Sequence, residues 1–297
     1  MGKLIWTGSP KSGLCDRLTD LMLMSTLAKM KDDFLYLRWR ENEEIHFTQW
    51  QIDTWPAYRF TDCLLENVQR YFHFPENIMF VDDIDKHKGF RVDDYIGGVH
   101  SPRSFCKEYL LPEKRFLPLY RQTIAQFRPT ELLKDVVCKS FDLDEPPQVD
   151  LSIHLRRTDK INSSPNEVEV SVNKLDTLNG VTEALLQDEI NSSSRVLNVF
   201  VCSDCADSKK SFEQKFQDQC NIVKYSPLDH EYEGTYVDLF ILSTSGKIVM
   251  SQKHSNFSVF ASMINESQLI YFYEDNNMLK EAGLEHTRLY KNENYQL

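Results

Sequence analysis

No run of about 18 apolar residues occurs in the 297-residue sequence, so no transmembrane helix is expected. The N-terminus, MGKLIWTGSPKSG, lacks the long apolar core of a secretory signal. Gly2 follows Met1, but Trp6 stands where N-myristoylation needs Ser or Thr, so no lipid anchor is expected. A dinucleotide fingerprint G-x-G-x-x-G is missing, which weakens a Rossmann oxidoreductase reading. Positive charge is in short supply: 34 Lys+Arg face 45 Asp+Glu, for a net charge of −11. That balance argues against a nucleic-acid binder working through bulk charge. Low-complexity tracts are absent too. The cysteines are odd in number and scattered: Cys15, Cys63, Cys106, Cys138, Cys202, Cys205 and Cys220. Such spacing points to reduced thiols in a soluble cytoplasmic protein rather than a disulfide framework. Cys202 and Cys205 form a C-x-x-C, but no second pair accompanies it, so it does not make a zinc site.

What remains is an ordinary globular composition, with 41% hydrophobic, 12% aromatic and 27% charged residues. KLIWT (3–7) reads as a strand, GSPKSG as a loop, and residues 14–33 carry apolar residues at helical spacing. DFLYLRW is the next strand, so the chain opens with a βαβ unit of a parallel sheet. Residues 40–100 are less regular, with short strands in FTQWQI, NIMFV and GFRVDDYIGGV. Residues 101–143 read as helices broken at Pro112, Pro118 and Pro129. LDEPPQ (143–148) is the best linker candidate. After it the strand–helix alternation restarts with VDLSIHL and continues to QLIYFY. The expectation is therefore an α/β chain of two Rossmann-like domains, 1–146 and 147–297, facing a cleft. Ligands would bind at the carboxyl ends of the strands.

Positive charge collects in one place, HLRRTDK (154–160), at the end of the first strand after the linker. Paired guanidiniums at the ligand end of a parallel sheet suit a diphosphate, through bidentate charge-assisted hydrogen bonds. A surface arginine pair bridged to Asp159 explains the same residues, and local composition alone leaves both readings open. Strand alternation would send Arg156 and Arg157 to opposite faces. GSPKSGLCDRL offers loop amides at a helix N-terminus, although the GK[ST] ending of a P-loop is missing. Gly13 belongs to that turn, and Arg17 supplies a second cation just inside the helix. Asp238 is read as opening a short apolar helix, where the helix dipole favours a carboxylate. Ser255, Asn256 and Ser258 surround the start of another helix, as caps or as ligand contacts. Glu167 and Glu169 alternate with valines beyond the arginines. Either is a candidate general base, or part of a solvated acidic loop.

Taken together, these segments resemble the α1,6-fucosyltransferases. HLRRTDK is similar to their His-x-Arg-Arg-x-Asp-Lys signature, which has looser forms in the α1,2-fucosyltransferases and protein O-fucosyltransferases. GLCDRLTDLMLMSTLA resembles their Gly-Leu-Gly-Asn/Asp-x-Leu opening, with Cys15 where glycine is usual. FVCSDC resembles the strand ending in Ser/Thr-Asp, which makes Asp204 a supporting residue. VDLFILSTSGKIVMSQKHSNFSVFASMI is similar to their third motif. The matches come in family order across residues 13–264.

The resemblance implies a GT-B fold and an inverting glycosyltransferase that needs no metal and no cofactor. Its partners would be a nucleotide-sugar donor and a glycan acceptor, with no nucleic acid and no membrane span. Arg156 would hold the donor's β-phosphate. His154 and Asp238 would contact the nucleobase and ribose, and Ser255 and Asn256 the phosphates. Gly13 and Arg17 would add donor contacts. Arg157, Asp159 and Lys160 would order the site, with Lys160 near the acceptor. Glu167 would be the base if a two-residue insertion is allowed, with Glu169 in reserve. GDP-fucose is the family's donor; UDP-xylose, or a catalytically inactive nucleotide-sugar-binding protein, are the alternatives. A compact enzyme of this kind suggests a bacterial or large-virus source.

Overall fold

A computed structural model describes residues 3–7, 13–39, 64–92, 102–155, 179–180, 182–251, 255–265 and 268–271. Contacts divide the chain into two compact units. The first comprises 1–52, 56–135 and 231–236; the second comprises 53–55, 136–230 and 237–297. The division falls ahead of the proline-rich 143–148 segment, which lies within the second unit.

In the first unit, β1 (Leu4–Thr7), β2 (Leu35–Arg38), β4 (Ile78–Phe80) and β5 (Phe90–Val92) form a parallel sheet in the order β4-β2-β1-β5. β3 (Phe72–His73) pairs antiparallel with β6 (Arg128–Pro129) in a small separate ladder. Between β1 and β2 runs α1 (Leu14–Met30), buried along most of its length because apolar residues occupy nearly every face. It stops where Asp32 turns left-handed, at φ 53°, a conformation aspartate tolerates better than most residues. The Asp33 N–H then donates to the Ala28 carbonyl at 3.0 Å. Gly89 is required at the approach to β5, because a β-carbon there would collide with the Lys3 carbonyl oxygen.

Among the described residues this unit also contains the helices α2 (Leu65–Tyr71), α3 (Pro102–Glu108) and α4 (Glu113–Ile124). The expected break at Pro118 does not occur: Pro118 lies inside α4. A proline there forfeits one backbone hydrogen bond. The burial of Phe116, Leu117, Tyr120 and Ile124 on one face of the helix outweighs that loss. The breaks at Pro112, which caps α4, and before Pro129, which sits in β6, do occur. α5 (Glu131–Phe141) follows.

In the second unit, β7 (Leu151–Leu155), β8 (Asn198–Ser203), β9 (Asn221–Val223), β10 (Lys247–Met250) and β11 (Gln268–Tyr271) form a parallel sheet. Their order is β11-β10-β7-β8-β9. Chain order runs outward from β7 through β8 to β9, then returns to β10 on the other side. That reversal is the switch point at which doubly wound sheets hold their ligands. Crossovers are supplied by helical residues 182–192, α6 (Ala206–Phe216), α7 (Glu233–Thr244) and α8 (Asn256–Ile264). β7 is buried throughout, as expected of a strand covered on both faces. Leu151, Ile153 and Leu155 join Leu185, Leu186, Phe212 and Phe216 in one apolar core. The alternate residues, Ser152 and His154, face the other way.

Candidate functional site

The polar face of β7 leads to the switch point. Ser152 sits 2.5 Å from the Ser245 hydroxyl, which itself donates to the Ile241 carbonyl, so Ser152 is the donor of that pair. Two residues on, toward the carboxyl end, His154 is buried at 6% exposure. Its Nδ1 lies 2.6 Å from the Ser258 hydroxyl and 3.1 Å from that of Ser255. The Phe257 ring is 5.6 Å away, tilted against the imidazole. The His154 carbonyl accepts from the Ser251 N–H at 3.0 Å, which ties the end of β10 to β7.

These contacts fix the ring plane through Nδ1, on the edge opposite Nε2. Ser255 is the N-cap residue of α8, yet its side chain makes no capping bond and turns to His154 instead. Asn256 is the first residue of α8. The helix start after β10 and the histidine on β7 thus meet at the switch point of one sheet. HLRRTDK continues directly from there. Arg156, Arg157, Asp159, Lys160, Glu167 and Glu169 lie outside the described residues.

One strand over, Cys202 of β8 is in register with His154. Its thiol donates to Asp238 Oδ2 at 3.2 Å, and the Tyr225 hydroxyl donates to Oδ1 at 3.0 Å. Asp238 does not open its helix. α7 begins at Glu233, and Asp238 stands in its second turn. Glu233, itself buried at the helix start, accepts a 2.7 Å hydrogen bond from the Tyr71 hydroxyl. Dipole stabilisation therefore does not set the state of Asp238. Burial raises its pKa, against the lowering effect of the Lys209 charge and the Cys202 and Tyr225 hydrogen bonds. The Lys209 ammonium sits over the Tyr225 ring at 5.1 Å and the Phe200 ring at 5.5 Å.

In the first unit, Gly13 is the N-cap residue of α1, with an extended backbone and no side-chain cap. Its φ of −65° makes no demand for glycine. Arg17 is buried, with its guanidinium 5.6 Å from the Trp39 ring. Its backbone N–H donates to the Gly13 carbonyl at 3.2 Å.

No family's sequence model matches the chain, and no curated protein is similar to it in sequence. Solved structures are similar in fold. NodZ, an α-1,6-fucosyltransferase soaked with GDP-fucose, is 13% identical over 98% of this chain and 99% of its own, with a TM-score of 0.57. NodZ from Bradyrhizobium is 10% identical over 92% and 96%, at 0.50. FUT1 of Arabidopsis thaliana in complex with GDP is 14% identical over 93% of this chain and 72% of its own, at 0.52. The chain has the GT-B fold of these fucosyltransferases.

Within this GT-B chain, Asp204 lies in the turn between β8 and α6, where the Cys205 N–H donates to the Ser203 hydroxyl at 3.1 Å. The C-x-x-C does sit at a strand–helix junction, with Cys205 as the N-cap residue of α6. Cys202 is no reactive thiol, however. Burial first, and the Asp238 charge second, push its pKa well above the ordinary cysteine range. Sequence reasoning placed neither Cys202 nor Tyr225 beside Asp238. Strand alternation could have found Cys202, because it shares a register position with His154. No spacing rule reaches Tyr225, which lies in the irregular segment after β9. Among the described residues no three His, Cys, Asp or Glu side chains gather as a metal-ligand set, and no helix is long and apolar enough to cross a membrane.

Proposed function

We propose that this protein is a glycosyltransferase that moves a sugar from a nucleoside-diphosphate donor to a glycan hydroxyl, with inversion and without a metal. One observation carries the reading. β7, whose last residues His154 and Leu155 begin the basic HLRRTDK sequence, ends beside the switch point of the second unit's sheet, in a chain similar in fold to GDP-fucose-soaked NodZ over 98% of its length. Fucose from GDP-fucose is the leading donor.

Arg156 binds the β-phosphate and stabilises the charge that develops on the departing diphosphate. Glu167, or Glu169 in its place, takes the proton from the acceptor hydroxyl as that oxygen attacks the anomeric carbon from the opposite side. Arg157 and Asp159 order the loop, and Lys160 faces the acceptor. His154 and Asp238 read the nucleoside, while Ser255 and Asn256 close around the phosphates. Gly13 and Arg17 are further donor-binding candidates. Asp204 supports the loop after β8.

Donor turnover with GDP-fucose and UDP-xylose tests this reading. Arg156→Ala should lower turnover by about two to three orders of magnitude, the scale of losing one charge-stabilising donor. Full transfer by Arg156→Ala would refute the phosphate role. Full activity in both Glu167→Gln and Glu169→Gln would refute the base.

A further inference from the structure

Asp238 holds both carboxylate oxygens inside the second unit: one takes the Tyr225 hydroxyl and the other the Cys202 thiol. Cys202 is in register with His154 on the neighbouring strand, so their side chains leave the sheet on one face, at its carboxyl end. The Asp238 carboxyl is thus linked, through Cys202, to the face of the sheet that carries the imidazole. A carboxyl group turns easily about its last torsion, which is broad and roughly two-fold. Two donors at 3.0 and 3.2 Å, one on each oxygen, remove that freedom and leave the remaining lone pairs in fixed directions.

Resting on the nucleotide-sugar reading above, we infer that Tyr225 and Cys202 are positioning residues that fix Asp238 and thereby set which nucleobase the protein prefers. Both hydrogen bonds go to Asp238, so on this reading their contribution falls on base selection and not on diphosphate affinity. Tyr225 is suited to the role because its ring is held independently of its hydroxyl. It lies 5.8 Å edge-on from Phe141, 6.2 Å from Phe200, and under the Lys209 ammonium. Removing the hydroxyl therefore frees the carboxyl without emptying the site.

The test is isothermal titration of GDP, IDP and UDP into the wild type, Tyr225→Phe, Cys202→Ala and Cys202→Ser. The wild type should prefer one base. Tyr225→Phe and Cys202→Ala should each shrink the ratio between preferred and disfavoured bases by about tenfold, the size of one net hydrogen bond. Cys202→Ser, which keeps a donor to Asp238, should retain the wild-type ratio. A merely structural role would weaken all three nucleotides together or lower the melting temperature, leaving the ratio unchanged; that result overturns the inference. Wild-type binding without base preference overturns it alone, with the nucleotide-sugar reading intact. If the wild type binds none of the three, the nucleotide-sugar reading itself fails and takes this inference with it.

Discussion

Asp20 shows how far a single residue can depart from its ordinary behaviour. It lies on the buried side of α1, where desolvation, reinforced by the Asp16 charge, pushes its pKa up to about 8. The sign follows from proton linkage. Between the unfolded value of 3.8 and the folded value of about 8, the native state keeps a proton that the unfolded state has released. Stability is therefore full below the unfolded pKa and falls as pH rises toward 8, by an amount on the order of a few kcal/mol. Asp20→Asn should flatten this slope and leave the variant more stable than the wild type at pH 8. Urea unfolding between pH 5 and pH 9 reads it out; parallel slopes in the two proteins would contradict the account. Asp238 is raised by the same cause but moderated by Lys209, Cys202 and Tyr225. The Asp20 carboxyl is thus raised by burial and a like charge, while the Asp238 carboxyl is built into a polar set.

At the scale of elements, the second sheet is stitched at its amino-terminal edge by Asp150. Its N–H donates to the Asn198 carbonyl, its carboxylate accepts the Asn198 N–H at 2.9 Å, and the Arg195 guanidinium binds both its oxygens at 2.9 and 2.5 Å. Burial raises the Asp150 pKa, but Arg195 and the Asn198 N–H more than offset it and hold the carboxyl below the usual aspartate range. Arg195 is largely exposed, so Arg195→Ala should shift the denaturant midpoint only slightly. Asp150→Ala also orphans the Asn198 N–H at the start of β8 and should cost about 1–3 kcal/mol. The Asp150 contribution is complete above the ordinary aspartate pKa and is lost as pH falls from there through the lowered folded-state value. Denaturant midpoints at pH 7 and pH 3 separate the two variants; equal costs at pH 7 would count against the backbone role.

The alternation of strands and helices was legible in the sequence because each period is local. β1, α1, β2 and β7 to β11 follow directly from apolar spacing. Boundaries set by tertiary contacts were not legible. α7 begins at Glu233, whose buried carboxylate accepts the hydroxyl of Tyr71, 162 residues away in sequence. Asp238 consequently sits inside the helix rather than at its head. Pro118 stays helical because the apolar face of α4 is buried, a gain that no local rule weighs. Ser255 was legible as a candidate from its place after a strand, and His154 from the family resemblance of HLRRTDK. That the two hold each other required the switch point between β7 and β10, which is a property of strand order and not of spacing.

For the molecule as a whole, two parallel sheets with doubly wound order account for the concentration of polar residues at one end of the second sheet. An acidic chain of net charge −11 places adjacent arginines directly after β7. The central claim is that the first of them, Arg156, meets a diphosphate. The direct measurement is calorimetric binding of a nucleoside diphosphate and its monophosphate to the wild type and to Arg156→Ala. The wild type should bind the diphosphate about ten- to a hundredfold more tightly, the value of a charge-assisted contact to the second phosphate. Arg156→Ala should lose most of that difference while monophosphate binding changes little. Equal wild-type affinity for the two nucleotides, or an undiminished difference in Arg156→Ala, would contradict the account.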